Sequence, residues 1–511
     1  MTAIQFSQLS YQHPNGEAVF QNLSESIATG LTVITGDNGI GKSLLLASLA
    51  GRRGGNIKGL ISQQVECFYL GQHALDNAAT VADVIQIRDK LAALKRIEQG
   101  KACEQDFELI GDDDWLLAER WQQRLASQNI GLFDSLDQLS GGQRTRLVIK
   151  LLKQTSQFLL LDEPSNHLDQ ANRVWLAEAL ASHQPGVLAI SHDPILLDAA
   201  QRIIHFDHQG LHSYSGGFAA YRENRQRQLA GVQAKIETIE RQQKQIAKQH
   251  QLARERAEQR QKQGKKLVRD GSQSKMLGDF KADKASKNQG NREQAFARLQ
   301  QQLETEKPAS QQAHVNRLHA NQAHYHDYCM LQNVILPYGR QQPISLSIRT
   351  GDRLWLAGPN GSGKSTLLKV LTGQLEAISG ELRRPKQLVY VDQQVSLLEP
   401  TSTAKQFLAQ FTPELSQTDR QTLLAGIGLR RDRADLLVGQ LSGGERMKLA
   451  LAYASQTSAV LLLDEPDNHL DLQSQSDLAH LINQLANAVV VVSHNKDFVN
   501  QIDGLKILSL A

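Results

Sequence analysis

The chain has 511 residues, which at about 150 residues per domain points to three or four domains. Its 40% hydrophobic content excludes a chain disordered throughout, and a net charge of only +3 argues against a wholly basic nucleic-acid binder. Three scattered cysteines (Cys67, Cys103, Cys329) form no CxxC pair, which argues against a cysteine-based zinc or iron–sulfur site.

The N-terminus, MTAIQFSQLS, has no charged segment followed by an apolar run, so no secretory signal is read there. No apolar stretch approaches the roughly 18 residues needed to span a bilayer. The sequence predicts a cytoplasmic protein with no membrane partner.

In chain order, the first informative element is an apolar strand over 31–35, then a GxxxxGKS loop, then a helical run over 44–49. The loop is Gly36, Asp37, Asn38, Gly39, Ile40, Gly41, Lys42 and Ser43. Glycines at this spacing let backbone N–H groups turn inward around phosphate oxygens. The Lys places a charge on the β/γ-phosphates, and the hydroxyl ligates Mg²⁺. Gln72 follows, then a polar, helix-favouring stretch near 88–125 with the acidic run Asp112–Asp114.

An LSGGQ segment at 139–143 precedes an apolar strand that ends in Asp162-Glu163. An Asp there can join the Mg²⁺ shell, and the next Glu can accept a proton from an attacking water. His192 follows a second apolar strand, 187–190, where its ring can reach a γ-phosphate.

The whole series then recurs. The second loop is Gly358, Pro359, Asn360, Gly361, Ser362, Gly363, Lys364 and Ser365, and Gln393, LSGGE at 441–445, Asp464-Glu465 and His494 follow it. The intervals repeat with the words. Ser140 to Asp162 and Ser442 to Asp464 are both 22 positions, and Asp162 to His192 and Asp464 to His494 are both 30. The first copy carries about 19 extra residues between its Gln and its signature Ser.

The boundaries read as 1–215 and 328–511 for the two copies, with a helical linker at 216–327. Residues 222–326 hold 22 Lys/Arg and 11 Asp/Glu, a net of +11, so the remainder, with 34 and 42, carries −8. The near-neutral total therefore describes neither part. Helices are expected over 222–262 and 290–325 as an antiparallel hairpin, with a glycine-containing tip rich in Lys between them. That charge predicts salt-dependent contact with nucleic acid.

The order P-loop, Gln, LSGGQ, LLLDE, SH resembles that of ATP-binding cassette (ABC) ATPases. Tandem cassettes, NHLD in both copies and YSGGFAAY at 214–221 before a helical linker narrow the resemblance to the ABC-F branch, the ribosome-associated translation factors. It implies an α/β fold: two P-loop ABC ATPase cassettes joined by an α-helical hairpin linker. The implied cofactors are ATP and Mg²⁺.

By the same resemblance, Gln72 and Gln393 sense Mg²⁺ and water, joining Ser43, Asp162, Ser365 and Asp464 at the metal. Ser140, Gly141 and Gly142, and likewise Ser442, Gly443 and Gly444, cover the γ-phosphate bound by the opposite cassette. Asp169 and Asp471 match the D-loop, and Tyr11 and Tyr338 match the aromatic that stacks on adenine. Glu163, Glu465, His192 and His494 are the implied catalytic set.

The implied partner is the ribosome, through rRNA and tRNA near the E site, for a monomer whose cassettes pair within the chain. A DNA-acting or scaffold ABC ATPase is the alternative, and a transporter-associated subunit a distant third. Three departures from the ABC-F pattern stand out: Ser165 and Asp467 where Thr is usual, and Gly217 where Asn is usual. Asp467 adds a charge beside the second site.

Overall fold

The computed structural model describes residues 2–14, 16–52, 56–72, 74, 79–111, 114–126, 130–136, 141–166, 168–269, 328–468 and 470–510. Residues 1–221 and 315–511 make one compact unit, and residues 222–314 a second.

In the first cassette the strands are β1 (Thr2–Gln12), β2 (Ala18–Ala28), β3 (Leu31–Gly36), β4 (Asn56–Gln63), β5 (Cys67–Leu70), β6 (Phe158–Asp162), β7 (Val187–Ile190), β8 (Arg202–Asp207) and β9 (Gly210–Ser215). Strands β2-β1-β4 form an antiparallel layer. The larger sheet has the order β5-β6-β7-β3-β8-β9 and is parallel except at β8–β9. Its inner strands are covered on both faces, which is why they read as continuous apolar runs: FLLLD and VLAI are buried at every position.

The second cassette repeats this with β10 (Tyr328–Ile335), β11 (Ile344–Arg349), β12 (Arg353–Ala357), β13 (Ser379–Arg383), β14 (Leu388–Val391), β15 (Val460–Asp464), β16 (Val489–Val492) and β17 (Leu505–Ser509). Its layers are β11-β10-β13 and the all-parallel β14-β15-β16-β12-β17. The four valines of β16 are all inaccessible to solvent. Each buried side chain of this size contributes about 1.5–3 kcal/mol.

Both phosphate loops leave the C-terminal ends of inner strands, β3 and β12, and run straight into helices Lys42–Leu49 and Lys364–Thr372. The extra residues of the first copy form helices Arg88–Glu98, Glu104–Leu109 and Leu117–Ala126, of which Trp121 and Leu125 join the cassette core. Asp112 and Asp113 lie outside the described residues.

YSGGFAAY closes the first cassette. Phe218 and Tyr221 pack into its core, and the Tyr221 hydroxyl lies 2.9 Å from His205 Nδ1. Gly217 has φ +77°, a left-handed conformation that glycine adopts freely and asparagine tolerates. That accounts for the exchange of Asn for Gly at this position. The helix that begins there runs to Arg269, 53 residues and roughly 80 Å at 1.5 Å each. It is longer than the 222–262 expected. The second linker helix, the glycine loop and most of the lysine-rich tip lie outside the described residues.

Candidate nucleotide sites

Gly36 and Gly41 in the first loop, and Gly361 and Gly363 in the second, hold positive φ. At Gly36 a Cβ would stand 1.9 Å from the Phe206 carbonyl oxygen, so only glycine fits. Gly41 and Gly363 precede their helices with φ of 100° and 98°, and no side chain caps either helix. The helix N-termini are thus left to an anion. Lys42 Nζ donates to the carbonyls of Gly36 and Asp37 at 2.8 Å, and Lys364 Nζ to those of Gly358 and Pro359 at 2.9 Å. Both lysines are buried, which lowers their pKa, while nearby carboxylates oppose the shift. Ser43 and Ser365 are exposed at the loops' ends.

Asp162 and Asp464 end β6 and β15 and are buried. Asp464 accepts from Tyr390 OH at 3.2 Å and from Ser365 Oγ at 3.4 Å, and burial raises its pKa. Among the described residues no group of three His, Cys, Asp or Glu could hold a metal alone. One hydroxyl and one carboxylate per site do suit a Mg²⁺ whose remaining ligands are phosphate oxygens and water.

Glu163 and Glu465 both hold φ +50°, an uncommon conformation for a residue with a side chain. Their N–H groups donate to Ile190 O at 3.0 Å and Val492 O at 2.9 Å, which pins each carboxylate at the strand end. The Glu163 carboxyl is pushed up to about 8 by burial, against the pull of Lys42. Glu465 accepts from Asn468 Nδ2 and from Gln393 Nε2. Gln72 is exposed.

His192 Nε2 lies 3.9 Å from Glu163 Oε1, and His494 Nε2 lies 3.8 Å from Glu465 Oε1. Burial keeps both rings neutral, His494 being lowered to about 4 and His192 well below its ordinary value. Each Nε2 is buried with no hydrogen-bond partner among the described residues. The other nitrogen of His192 lies 3.1 Å from Thr35 Oγ1, a contact the sequence reading missed. The second copy has Ala357 at that position.

The two cassettes touch through their D-loops. Asp471 accepts the Asn38 N–H at 3.0 Å, and Asp169 accepts the Asn360 N–H at 3.5 Å. Ser442 caps helix Gly443–Ala454 and donates to Glu445 Oε2 at 2.9 Å. Gly141 and Gly142 open the equivalent first-cassette helix, and Ser140 lies outside the described residues.

The pairing of Tyr11 with Tyr338 needs correction. Gln8 (φ 50°) and Asn333 (φ 51°) form the same bulge in β1 and β10, each against a glycine, Gly59 or Gly380. Counting on from the bulge, Tyr11 matches Leu336, and His13 matches Tyr338. Tyr11 is accordingly only 4% exposed, between His13 and Phe20 at 5.5 and 5.9 Å, whereas Tyr338 is 67% exposed beside Gly363. Tyr11 faces inward because strand side chains alternate and Leu9 already fixes the core side. Asp467 also differs from expectation. It borders a cavity with Glu163 and His192, so it faces the first site as well as the second.

The profile of the ABC transporter family matches residues 20–166 and 341–468. The chain is 31% identical to the probable ATP-binding protein YheS of Escherichia coli K12, over 94% of this chain and 74% of that one. It is 29% identical to ABC transporter F family member 4 of Arabidopsis thaliana, over 95% and 70%. The chain belongs to the ABC-F family. It is an ATPase of the ATP-binding cassette type. This ABC-F protein is also 27% identical to the ribosome protection protein VmlR of Bacillus subtilis, over 99% of this chain and 86% of that one. Among solved structures an RNase-L inhibitor shares its fold with a TM-score of 0.54 at 17% identity, covering 98% of this chain and 87% of that one.

Proposed function

We propose that this ABC-F protein hydrolyses two ATP molecules in composite sites and uses the cycle to engage and leave the ribosome. Site one takes Lys42, Asp162, Glu163 and His192 with the Ser442 signature. Site two takes Lys364, Asp464, Glu465 and His494 with the Ser140 signature. The observation that carries the two-site reading is the reciprocal D-loop contact, since each P-loop receives a carboxylate from the other cassette.

In each site the Lys ammonium and the uncapped helix N-terminus hold the β/γ-phosphates. Ser43 with Asp162, and Ser365 with Asp464, would hold a Mg²⁺, which would supply positive charge to offset the charge developing on the phosphates. The Glu, in its ionised form, accepts the proton of the attacking water. His192, with Nδ1 accepting from Thr35, carries its proton on Nε2 and donates it toward a γ-phosphate oxygen.

Three features support the ribosome as partner: a relative named for ribosome protection, the +11 charge of the linker, and a long, apolar-poor helix at its start. The linker contacts rRNA and tRNA near the E site, and the cassettes pair within a monomer in the cytoplasm. No helix among the described residues is long and apolar enough to cross a membrane.

Glu163→Gln with Glu465→Gln tests this reading. The double variant retains ATP binding, loses turnover and co-sediments with ribosomes in ATP. If it stays free of ribosomes at low salt, the ribosome reading fails. Replacing 222–326 with a short polar linker abolishes ribosome binding but not ATP binding. Unchanged binding to RNA would refute the role given to the linker.

A further inference from the structure

The cassettes are built on one plan but exchange charge where they meet. Residues 302 positions apart are equivalent, as Asp162 and Asp464 are. By that register Ser165, Arg173 and Asp193 match Asp467, Gln475 and Asn495. All six side chains are buried.

Their local frameworks are alike. Arg173 Nε donates to the Leu168 carbonyl at 2.8 Å, as Gln475 Nε2 does to that of Leu470 at 3.0 Å. Arg173 lies 3.8 Å from Asp193, where Asn495 Nδ2 donates to Gln475 Oε1 at 3.0 Å. The charges differ: the first trio is neutral, and the second carries −1 with no cation of its own.

Arg173, Asp193 and Asp467 border one cavity of about 30 Å³ between the cassettes, together with Glu163 and His192. That volume suits water and nothing larger. Asp193 Oδ2 and Asp467 Oδ1 are both buried without a hydrogen bond among the described residues. The charge of Arg173 acts on both carboxylates. A buried carboxylate without a counter-charge is strongly disfavoured. Two second cassettes pressed together would bury two Asp467 side chains with Gln475 in place of Arg173 beside each.

We propose that Arg173 is a positioning residue for both cassettes: it is the counter-charge that lets Asp467 be buried, and so lets the second cassette close on the first. This rests on the cassette pairing alone, not on the ribosome reading.

The test uses the full chain with its three cysteines replaced by alanine and dyes on Leu60→Cys and Ile507→Cys, both exposed, one per cassette. Energy transfer is followed as a non-hydrolysable ATP analogue is added. The unaltered background reports on pairing itself: if it shows no analogue-dependent closure, the pairing reading fails, and this proposal with it. Arg173→Gln with Asp193→Asn copies the second cassette's own hydrogen-bonded pair and so keeps the fold, which circular dichroism checks. That variant requires at least tenfold more analogue for half-maximal closure. Adding Asp467→Ser, the residue the first cassette has at this position, returns it to within twofold of the starting chain. A purely local role for Arg173 gives no such rescue from the other cassette. Unchanged closure in the double variant, or absence of rescue, overturns the proposal.

Discussion

Asp471 divides its carboxylate between two cassettes. Oδ1 accepts the Ser474 N–H at 2.7 Å and caps its own helix, while Oδ2 accepts the Asn38 N–H of the other cassette's P-loop at 3.0 Å. Asp169 does the same in reverse, with 3.0 Å to Asn172 N and 3.5 Å to Asn360 N. One side chain thus ties a local helix start to the phosphate loop of its neighbour. Asp471→Ala should lower melting stability by about 1 kcal/mol from the lost cap. It should also cut turnover about tenfold, as expected for a lost charge-assisted hydrogen bond. Asp169→Ala should cost the same in stability but less in turnover, because its cross-cassette bond is longer. Equal rate losses in steady-state ATPase assays would show that the difference in length has no consequence.

Tyr338 and Tyr11 should separate cleanly on substitution. Tyr338 is mostly exposed, so Tyr338→Ala should leave melting unchanged and weaken a fluorescent ATP analogue about fivefold, the value of one lost stacking contact of about 1 kcal/mol. Tyr11→Ala removes a buried ring and should destabilise by about 3–5 kcal/mol. His13→Ala should resemble Tyr338→Ala, acting on the other site. If Tyr11→Phe, which spares the core, weakens nucleotide binding while His13→Ala does not, the bulge register assigns the wrong residue.

The parts of the fold that repeat as words were legible in the sequence. Strands β6, β7 and β16 are continuous apolar runs because both faces are covered. The phosphate loops that follow β3 and β12 carry glycines at positive φ, and at Gly36 a Cβ would meet the Phe206 carbonyl. Tyr11 was misread because an aromatic near a strand end looks alike whether it faces the core or the ligand. Only the shared bulge at Gln8 and Asn333 sets the count. Arg173 and Thr35 were missed for another reason. Their partners, Asp467 and His192, are distant in sequence, and in the second copy Gln475 and Ala357 take their places, so a search for repeated words passes over them.

His494 should make the second cassette acid-sensitive. Burial and the nearby Lys364 lower its pKa to about 4, from an ordinary 6.5. The folded state therefore holds the neutral ring more strongly than the unfolded chain does. The stability this confers is complete above pH 6.5 and is lost as pH falls toward 4. The full difference is about 3 kcal/mol. His494→Gln should be less steeply destabilised over that range in urea titrations. Parallel curves for the two proteins would show that His494 is solvated when folded.

Asp467 should act in the opposite sense. Burial raises its carboxyl to about 6 from 3.8, against Arg173 and the Ser493 hydroxyl, with Glu465 adding to the rise. Glu163, His192 and Asp193 also border its cavity. A raised acid binds its proton more tightly when folded. The stability it contributes is present below pH 3.8, declines as pH rises, and is gone above about 6, a change of about 3 kcal/mol. At pH 7.5 Asp467→Ser should therefore be more stable than the native chain, and the gap should narrow as the pH falls through 6 and close toward pH 3.8. The two titrations overlap, so the difference between variant and native chain at each pH is the quantity to measure. A variant less stable at pH 7.5 would mean that the charge of Arg173 outweighs the burial of the carboxylate.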